Sequence, residues 1–445
     1  MDWLKATWAD LPWSYTGLVL PRSLNPAYVL VPHLPRFLEL FPQLQMRENV
    51  WQHWFGSLGF QVQAYPVTPY TLEAFCDEFL RLVLDLVLFQ ILWIQPSLNV
   101  LKRGASPATR RLLVILHIMV LLPWAVLGSG GQSRMTNYLR AALAFRSSLL
   151  LWDIFMIRPV AEVRSWSAAR TFAQVWLFPV EVAVLAKRPG PQRPRLHCLR
   201  EVGKGLVSVL FVQLCLLFFP PIEVVREMPK YQYMCYGPFM VVGLYAMLSS
   251  TGMFLVNMSG LVVGIEQAPL FENPFFTTSV QQFWSRWNRA VSTVLHRVVF
   301  GSLSTARPKK KQSDSSPKRP PSLVRFAQTS LMAMATFLVS GLFHEFLLLC
   351  STPGLYGWQT LFFLLNGLLA VSATAIARYA PGITRRTPTF VRYLILTLFC
   401  CCLSHLFFVP LQTHNMLAEP QILLQLLLLP RGTPPQHAYF LHLFR

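Results

Sequence analysis

Six long stretches of the chain contain no Asp, Glu, Lys or Arg: Leu112–Ser133, Gly205–Ile222, Met234–Ile265, Ala327–His344, Phe346–Ala377 and Tyr393–Ala418. A membrane helix needs about 20 mostly apolar residues. Hydrocarbon offers no water to backbone N–H and C=O groups, so such runs cross it as helices or closed barrels. The runs are too long and too unbroken for barrel strands, so the predicted fold is an all-α polytopic membrane protein. Composition agrees. Charged residues make up 13% of the chain, against about 25% in soluble domains, and the mean hydropathy is +0.43. A soluble multi-domain enzyme, a disordered chain, a collagen-like chain and a secreted disulfide scaffold are excluded. Eight cysteines with no paired CxxC spacing read as small packing residues in a reduced setting.

Four weaker stretches are shorter or carry charge: Tyr15–Val31, Phe79–Gln95 (Arg81, Asp85), Ala141–Ile157 (Arg146, Asp153) and Phe172–Ala186 (Glu181). They read as helices facing a bundle interior or lying in the interface. Together the runs predict about seven to ten crossings. Phe346–Ala377 is too long for one span, and Pro353-Gly354 predicts a turn with a new helix starting near Trp358. Met234–Ile265 reads as one tilted helix plus an interfacial piece. The first residues hold Asp2 and Asp10 and no basic stretch before an apolar core, so no cleavable signal is expected.

The formal charge is +20. In a soluble protein this would suggest nucleic acid. Here the basic residues fill short loops between apolar runs, where they set topology against an anionic leaflet, and no nucleic-acid partner is expected. Lys187–Lys204 holds six basic residues and one acid, Arg307–Arg325 seven and one, and Arg378–Arg392 four arginines and no acid. All three read as cytosolic, with two crossings between each. Lys102–Arg111 also reads as cytosolic, yet three candidate spans follow before Lys187, so one of them is re-entrant or in-plane. The chain divides into N-terminal membrane helices (1–204), a core (205–411, with a basic loop at 302–325) and a short C-terminal segment (412–445).

Two places carry chemistry. From Val280 the apolar positions 280, 283, 284, 287, 291, 294, 295 and 298 predict one amphipathic helix. Trp284 and Trp287 suit a membrane interface, but Phe283-Trp284-Ser285-Arg286-Trp287-Asn288 is denser in aromatics than an anchor requires. The second place is an apolar helix interrupted by His344 and Glu345. Ionisable residues at membrane depth are costly and mark function. Thr336, Ser340 and His344 fall at i, i+4, i+8 as one polar stripe, and Gly341 permits close approach. Near neutral pH a histidine can take a proton from a hydroxyl. It can equally be a hydrogen-bonded core residue. Seventeen residues past Ala327, His344 lies about 25 Å along the helix. Glu345 points about 100° away and reads as structural, pairing with a neighbouring helix.

Together the two places resemble the membrane-bound O-acyltransferases, and more narrowly their wax synthase-like members. Asn273-Pro274-Phe275, Ser279 and Phe283-Trp284-Ser285-Arg286-Trp287-Asn288 resemble the family's F-W-x-R-W-[N/H] signature with its upstream residues, and Ser340-Gly341-Leu342-Phe343-His344-Glu345 resembles its S-G-x-x-H-E segment. The spacing in the tryptophan motif and the Lys/Pro-rich loop look more like fungal members that acetylate terpenoid or meroterpenoid alcohols.

The resemblance implies helices around a tunnel, with in-plane amphipathic helices, in the endoplasmic reticulum. It implies acyl transfer from acyl-CoA, here acetyl-CoA, to a lipophilic alcohol, with no cofactor and no metal. His344 would be the general base. Asn288 would hold the acyl carbonyl or orient the acceptor. Trp284, Arg286, Trp287 and Ser340 would shape the substrate site, and Arg286, Arg289 and Arg297 would meet CoA phosphates or lipid headgroups. The alternatives are a long-chain wax ester or diacylglycerol synthase and, from another class, a transporter relaying protons through His344 and Glu345.

Overall fold

A computed structural model describes residues 72–130, 133–177, 194–216, 230–301, 323–352, 355–413 and 416. In chain order the helices are α1 (Leu72–Phe89), α2 (Gln95–Lys102), α3 (Pro107–Leu127), α4 (Arg134–Trp152), α5 (Val160–Arg164), α6 (Ala168–Trp176), α7 (Pro194–Leu216), α8 (Lys230–Val263), α9 (Val280–Arg286), α10 (Arg289–His296), α11 (Leu323–Ser351), α12 (Trp358–Tyr379), α13 (Pro381–Arg386) and α14 (Thr389–Thr413). Single π-helical turns follow α1, α4 and α10. The starts follow sequence. Ser106, Ser133 and Ser167 precede α3, α4 and α6, and each hydroxyl accepts the N–H three residues on, filling one of the orphan donors of a first turn.

Among the described residues six helical stretches are long and apolar enough to cross a membrane: Glu78–Lys102, Pro107–Leu127, Met240–Val263, Leu323–Ser351, Trp358–Tyr379 and Thr389–Leu411. The protein is a multi-pass membrane protein. The outward faces are apolar, as lipid requires. On α3, Leu112, Ile115 and Met119 are more than half exposed, whereas Val114 and Leu121 are buried.

Several boundaries differ from the sequence reading. Phe79–Gln95, weak by composition, lies within a full-length apolar helix, because Trp124 Nε1–H donates to Asp85 Oδ2 at 3.0 Å and gives the carboxylate a partner. Helix α7 starts at Pro194, inside the expected basic loop, and is not one of the six long apolar stretches. Residues 234–263 lie in one continuous helix, Lys230–Val263, of which Met240–Val263 is the stretch apolar enough to cross. The break between Ser351 and Trp358 falls where Pro353-Gly354 predicts it. Tyr15–Val31 and residues 302–322 of the basic loop lie outside the described residues.

Packing centres on α4, which buries Asn137, Arg140, Arg146, Ser147 and Ser148 and is the interior helix its charges imply. The α1–α4 core reaches Val294 of α10 and Leu347 and Cys350 of α11, and so joins the N-terminal helices to both chemistry-bearing segments. Helices α7 and α8 meet at Gly205, where a Cβ would lie 2.9 Å from the Phe254 backbone N. Helices α11 and α12 meet at Gly341, where a Cβ would lie 2.7 Å from Thr360 Cα. Small residues allow this close backbone approach between membrane helices.

Candidate active site

The first motif folds as a looped platform. Asn273 takes a left-handed φ of 44°, which Asn tolerates better than most residues, and Phe276 N–H closes the turn on its carbonyl at 3.1 Å. Ser279 caps α9 through Gln282 N–H at 3.2 Å. Two backbone bonds, Glu272 N–H to Arg286 C=O (3.0 Å) and Arg289 N–H to Leu270 C=O (2.8 Å), strap the upstream strand of chain to the α9–α10 junction. The single amphipathic helix predicted from Val280 is therefore two short helices. The break is Asn288, at φ 48° and ψ 70°, whose Oδ1 accepts Val291 N–H at 3.3 Å to start α10. Apolar spacing persists across the break because the two halves pack on different neighbours, α9 on α12 and α10 on α4.

The two tryptophans divide the platform. Trp287 is stacked on Phe283 (5.4 Å between ring centres) and meets Phe271 and Tyr245 edge-on or tilted. Trp284 turns to α11 and α12, touching Phe337 (6.0 Å), Phe362 (6.1 Å) and Phe363 (5.3 Å). Its indole Nε1–H donates to Asn366 Oδ1 at 3.2 Å.

His344 lies seven residues before the end of α11, about 10 Å from that end. Its ring lies flat on Phe363 (4.8 Å, 10° between planes) and also meets Phe343 (4.9 Å) and Phe407 (5.1 Å). Nδ1 is enclosed and has no hydrogen-bond partner among the described residues. Phe363 thus touches both Trp284 and His344, so the two sequence segments converge on one aromatic face of α12. Glu345 points elsewhere. Its Oε1 accepts Gln359 N–H (2.8 Å) and Thr360 N–H (3.2 Å), capping the first turn of α12, whose preceding residue Gly357 has φ 74°. An acid at a helix N-terminus is favoured by the dipole. Ser340 Oγ–H donates to Thr336 C=O (3.0 Å), and Thr336 Oγ1–H to Met332 C=O (2.9 Å). Two members of the predicted stripe, Thr336 and Ser340, are thus satisfied inside their own helix, and the third, His344, is not.

The arginines have unequal freedom. Arg297 grips the buried carboxylate of Asp153, Nε to Oδ1 at 3.0 Å and Nη2 to Oδ2 at 2.9 Å, and Arg158 Nε shares Oδ2 at 2.9 Å. Arg289 pairs with Glu272 at 3.3 Å. Arg286 donates to Phe276 C=O at 3.4 Å. Of the three arginines predicted to meet phosphate, two are thus engaged by carboxylates, because folding brings in acids distant in sequence or on the strapped loop. Sequence reasoning missed Asn366, Gln359 and Asp153 as parts of this framework. A polar residue inside an apolar span was the available signal for the first two.

Residues 267–365 match the model of the membrane bound O-acyl transferase family. Over 122 residues the chain is 34% identical to the probable long-chain-alcohol O-fatty-acyltransferase 9 of Arabidopsis thaliana, covering 27% of this chain and 32% of that one. Over 166 residues it is 29% identical to the probable long-chain-alcohol O-fatty-acyltransferase 7 of the same plant, covering 37% and 44%. A longer stretch of 235 residues is 26% identical to its acyl-CoA–sterol O-acyltransferase 1, covering 51% and 60%. The chain therefore spans between a third and three-fifths of the length of these relatives. The matched segment contains both the tryptophan motif and the His344 motif.

Proposed function

We propose, from the membrane bound O-acyl transferase character of residues 267–365, that the chain transfers an acyl group from acyl-CoA to a lipophilic alcohol. The observation that carries this reading is the convergence of Trp284 and His344 on Phe363. It unites the two motif segments at a histidine whose Nδ1 has no partner among the described residues. His344 takes the hydroxyl proton as the alcohol oxygen attacks the thioester carbonyl. The tetrahedral oxyanion collapses, the C–S bond breaks, and the CoA thiolate recovers the proton from His344. Asn288 uses only Oδ1 as a cap, which leaves its amide N–H groups for the acyl carbonyl, an oxyanion-hole role. Trp284, Trp287 and the Ser340 turn shape the site. Arg286 is the arginine best placed to meet CoA phosphate, for which its forked guanidinium is suited.

Three aromatic rings within 5.1 Å of His344 favour a small acyl group, so the donor in this reading is acetyl-CoA and the acceptor a terpenoid-like alcohol. The names of the plant relatives favour a second reading, a long-chain donor with a fatty alcohol or sterol. Residence in the endoplasmic reticulum belongs to the same proposal. The test is CoA release by membranes carrying wild type or His344→Ala, supplied with acetyl-CoA or palmitoyl-CoA and a panel of terpenoid, sterol and fatty alcohols. Alcohol-dependent release with acetyl-CoA, lost in the variant, supports the first reading, and release with palmitoyl-CoA alone selects the second. Equal release by both proteins removes His344 as the base. Proton flux without CoA release would make the chain a transporter.

A further inference from the structure

We infer that Asn366 is a positioning residue for His344, acting through Trp284 and Phe363. Asn366 is 1% exposed. Its Oδ1 accepts the Trp284 indole N–H at 3.2 Å, and its Nδ2–H donates to Phe362 C=O at 2.9 Å. The side chain therefore ties the tryptophan motif to the α12 turn that carries Phe362 and Phe363. On that turn, Trp284 packs against one part of Phe363 at 5.3 Å while the His344 ring lies flat on it at 4.8 Å. Nδ1 of His344 has no hydrogen-bond partner among the described residues, so ring contacts set the direction of the imidazole, and Phe363 is the neighbour that lies parallel to it. Asn366 holds Trp284, the second ring packed against that neighbour, in place. Without the Asn366 acceptor the partly buried indole N–H loses its partner. Trp284 then leaves its seat to find a partner, and the restraint on Phe363 goes with it.

The kinetic arm of the test rests on the acyl-transfer reading, and the labelling arm does not. In the first arm, Asn366→Ala lowers kcat about tenfold and leaves KM for acyl-CoA within about twofold, the signature of misplaced chemistry rather than lost binding. Trp284→Phe removes the indole donor and has a similar effect, and the double variant is no slower than Trp284→Phe alone, because the missing bond is the same one. In the second arm, full-length protein in detergent is treated with diethyl pyrocarbonate and carbethoxylation of His344 is followed by mass spectrometry. Asn366→Ala speeds labelling severalfold, and adding it to Trp284→Phe speeds labelling no further. Labelling of Asn366→Ala at the wild-type rate, or independent and multiplying effects of the two substitutions, overturns the inference. If Asn366→Ala does not fold, Trp284→Phe alone decides, since wild-type labelling in that variant overturns it as well. If no variant or wild type transfers an acyl group, the labelling result still judges the positioning role by itself.

Discussion

The buried charges of α4 and the histidine of α11 are treated in opposite ways. On α4, Arg146 donates through Nη1 and Nη2 to the carbonyls of Val175 (2.8 Å) and Gln174 (3.3 Å), Ser147 donates to the same Val175 oxygen, and Arg140 reaches Gly128 C=O and Asn137 Oδ1. At its end Asp153 receives two guanidinium groups. Each charge there is matched by backbone or by an opposite charge. On α11, His344 is surrounded by rings, and its Nδ1 lacks a partner among the described residues. The difference teaches where to look for reactivity. A matched buried charge stabilises a unique packing at best, whereas a histidine spared such bonds keeps its lone pair for a substrate.

The contrast can be broken by substitution, and the largest effect belongs to His344. His344→Ala lowers acyl transfer by about 10²–10⁴-fold, the usual share of a general base, while the thermal midpoint in detergent falls by no more than the lost ring packing accounts for, because no hydrogen bond to Nδ1 is lost. A large drop in the midpoint would make the residue structural and erase the contrast. Asp153→Ala does the reverse. It leaves Arg158 and Arg297 facing each other without the carboxylate, at about 3 kcal/mol, the low end for a broken buried pair, since the Arg297 side chain is 33% exposed. Its unfolding midpoint falls sharply in detergent. Glu345→Ala strands the buried Gln359 N–H and removes the cap of α12, costing about 1–2 kcal/mol. Glu345→Gln, which keeps an oxygen acceptor, recovers much of that stability, and thermal melts of the two variants measure the difference. Ser340→Ala is smallest. Its hydroxyl serves its own helix, so stability changes by under about 0.5 kcal/mol and turnover by less than about threefold. A tenfold loss would show the hydroxyl touching the acceptor.

Much of this was legible in residues alone. Charge-free runs foretold helices α3, α8, α11, α12 and α14, because the bilayer imposes one length and one composition. Pro353-Gly354 foretold the break before Trp358. The two motifs were expected to lie together, and Trp284 and His344 do meet the same ring, Phe363. What was illegible is instructive. Periodicity could not show that the helix breaks at Trp287 and Asn288, since a left-handed residue leaves apolar spacing undisturbed on either side. Asp153 and Arg297 are 144 residues apart, so no local pattern couples them, and Arg297 read alone resembles a free cation. Asp85 made a crossing helix read as weak until Trp124 supplied its donor. Asn366 passed unnoticed in a run judged by its lack of charge, although an amide buried in such a run needs partners as much as a charge does.

The seam between α11 and α12 has a consequence for traffic. Gly341 lies against the Thr360 backbone, and Gly367 lies against Phe337, where an added Cβ would come within 3.0 Å. The two helices are shut against each other at two levels, one on either side of Phe363 along α12. A lipid tail or a greasy alcohol cannot slip between them. In the proposed reaction, a molecule bound for His344 would come round another flank of α11, away from the two glycines that close this one.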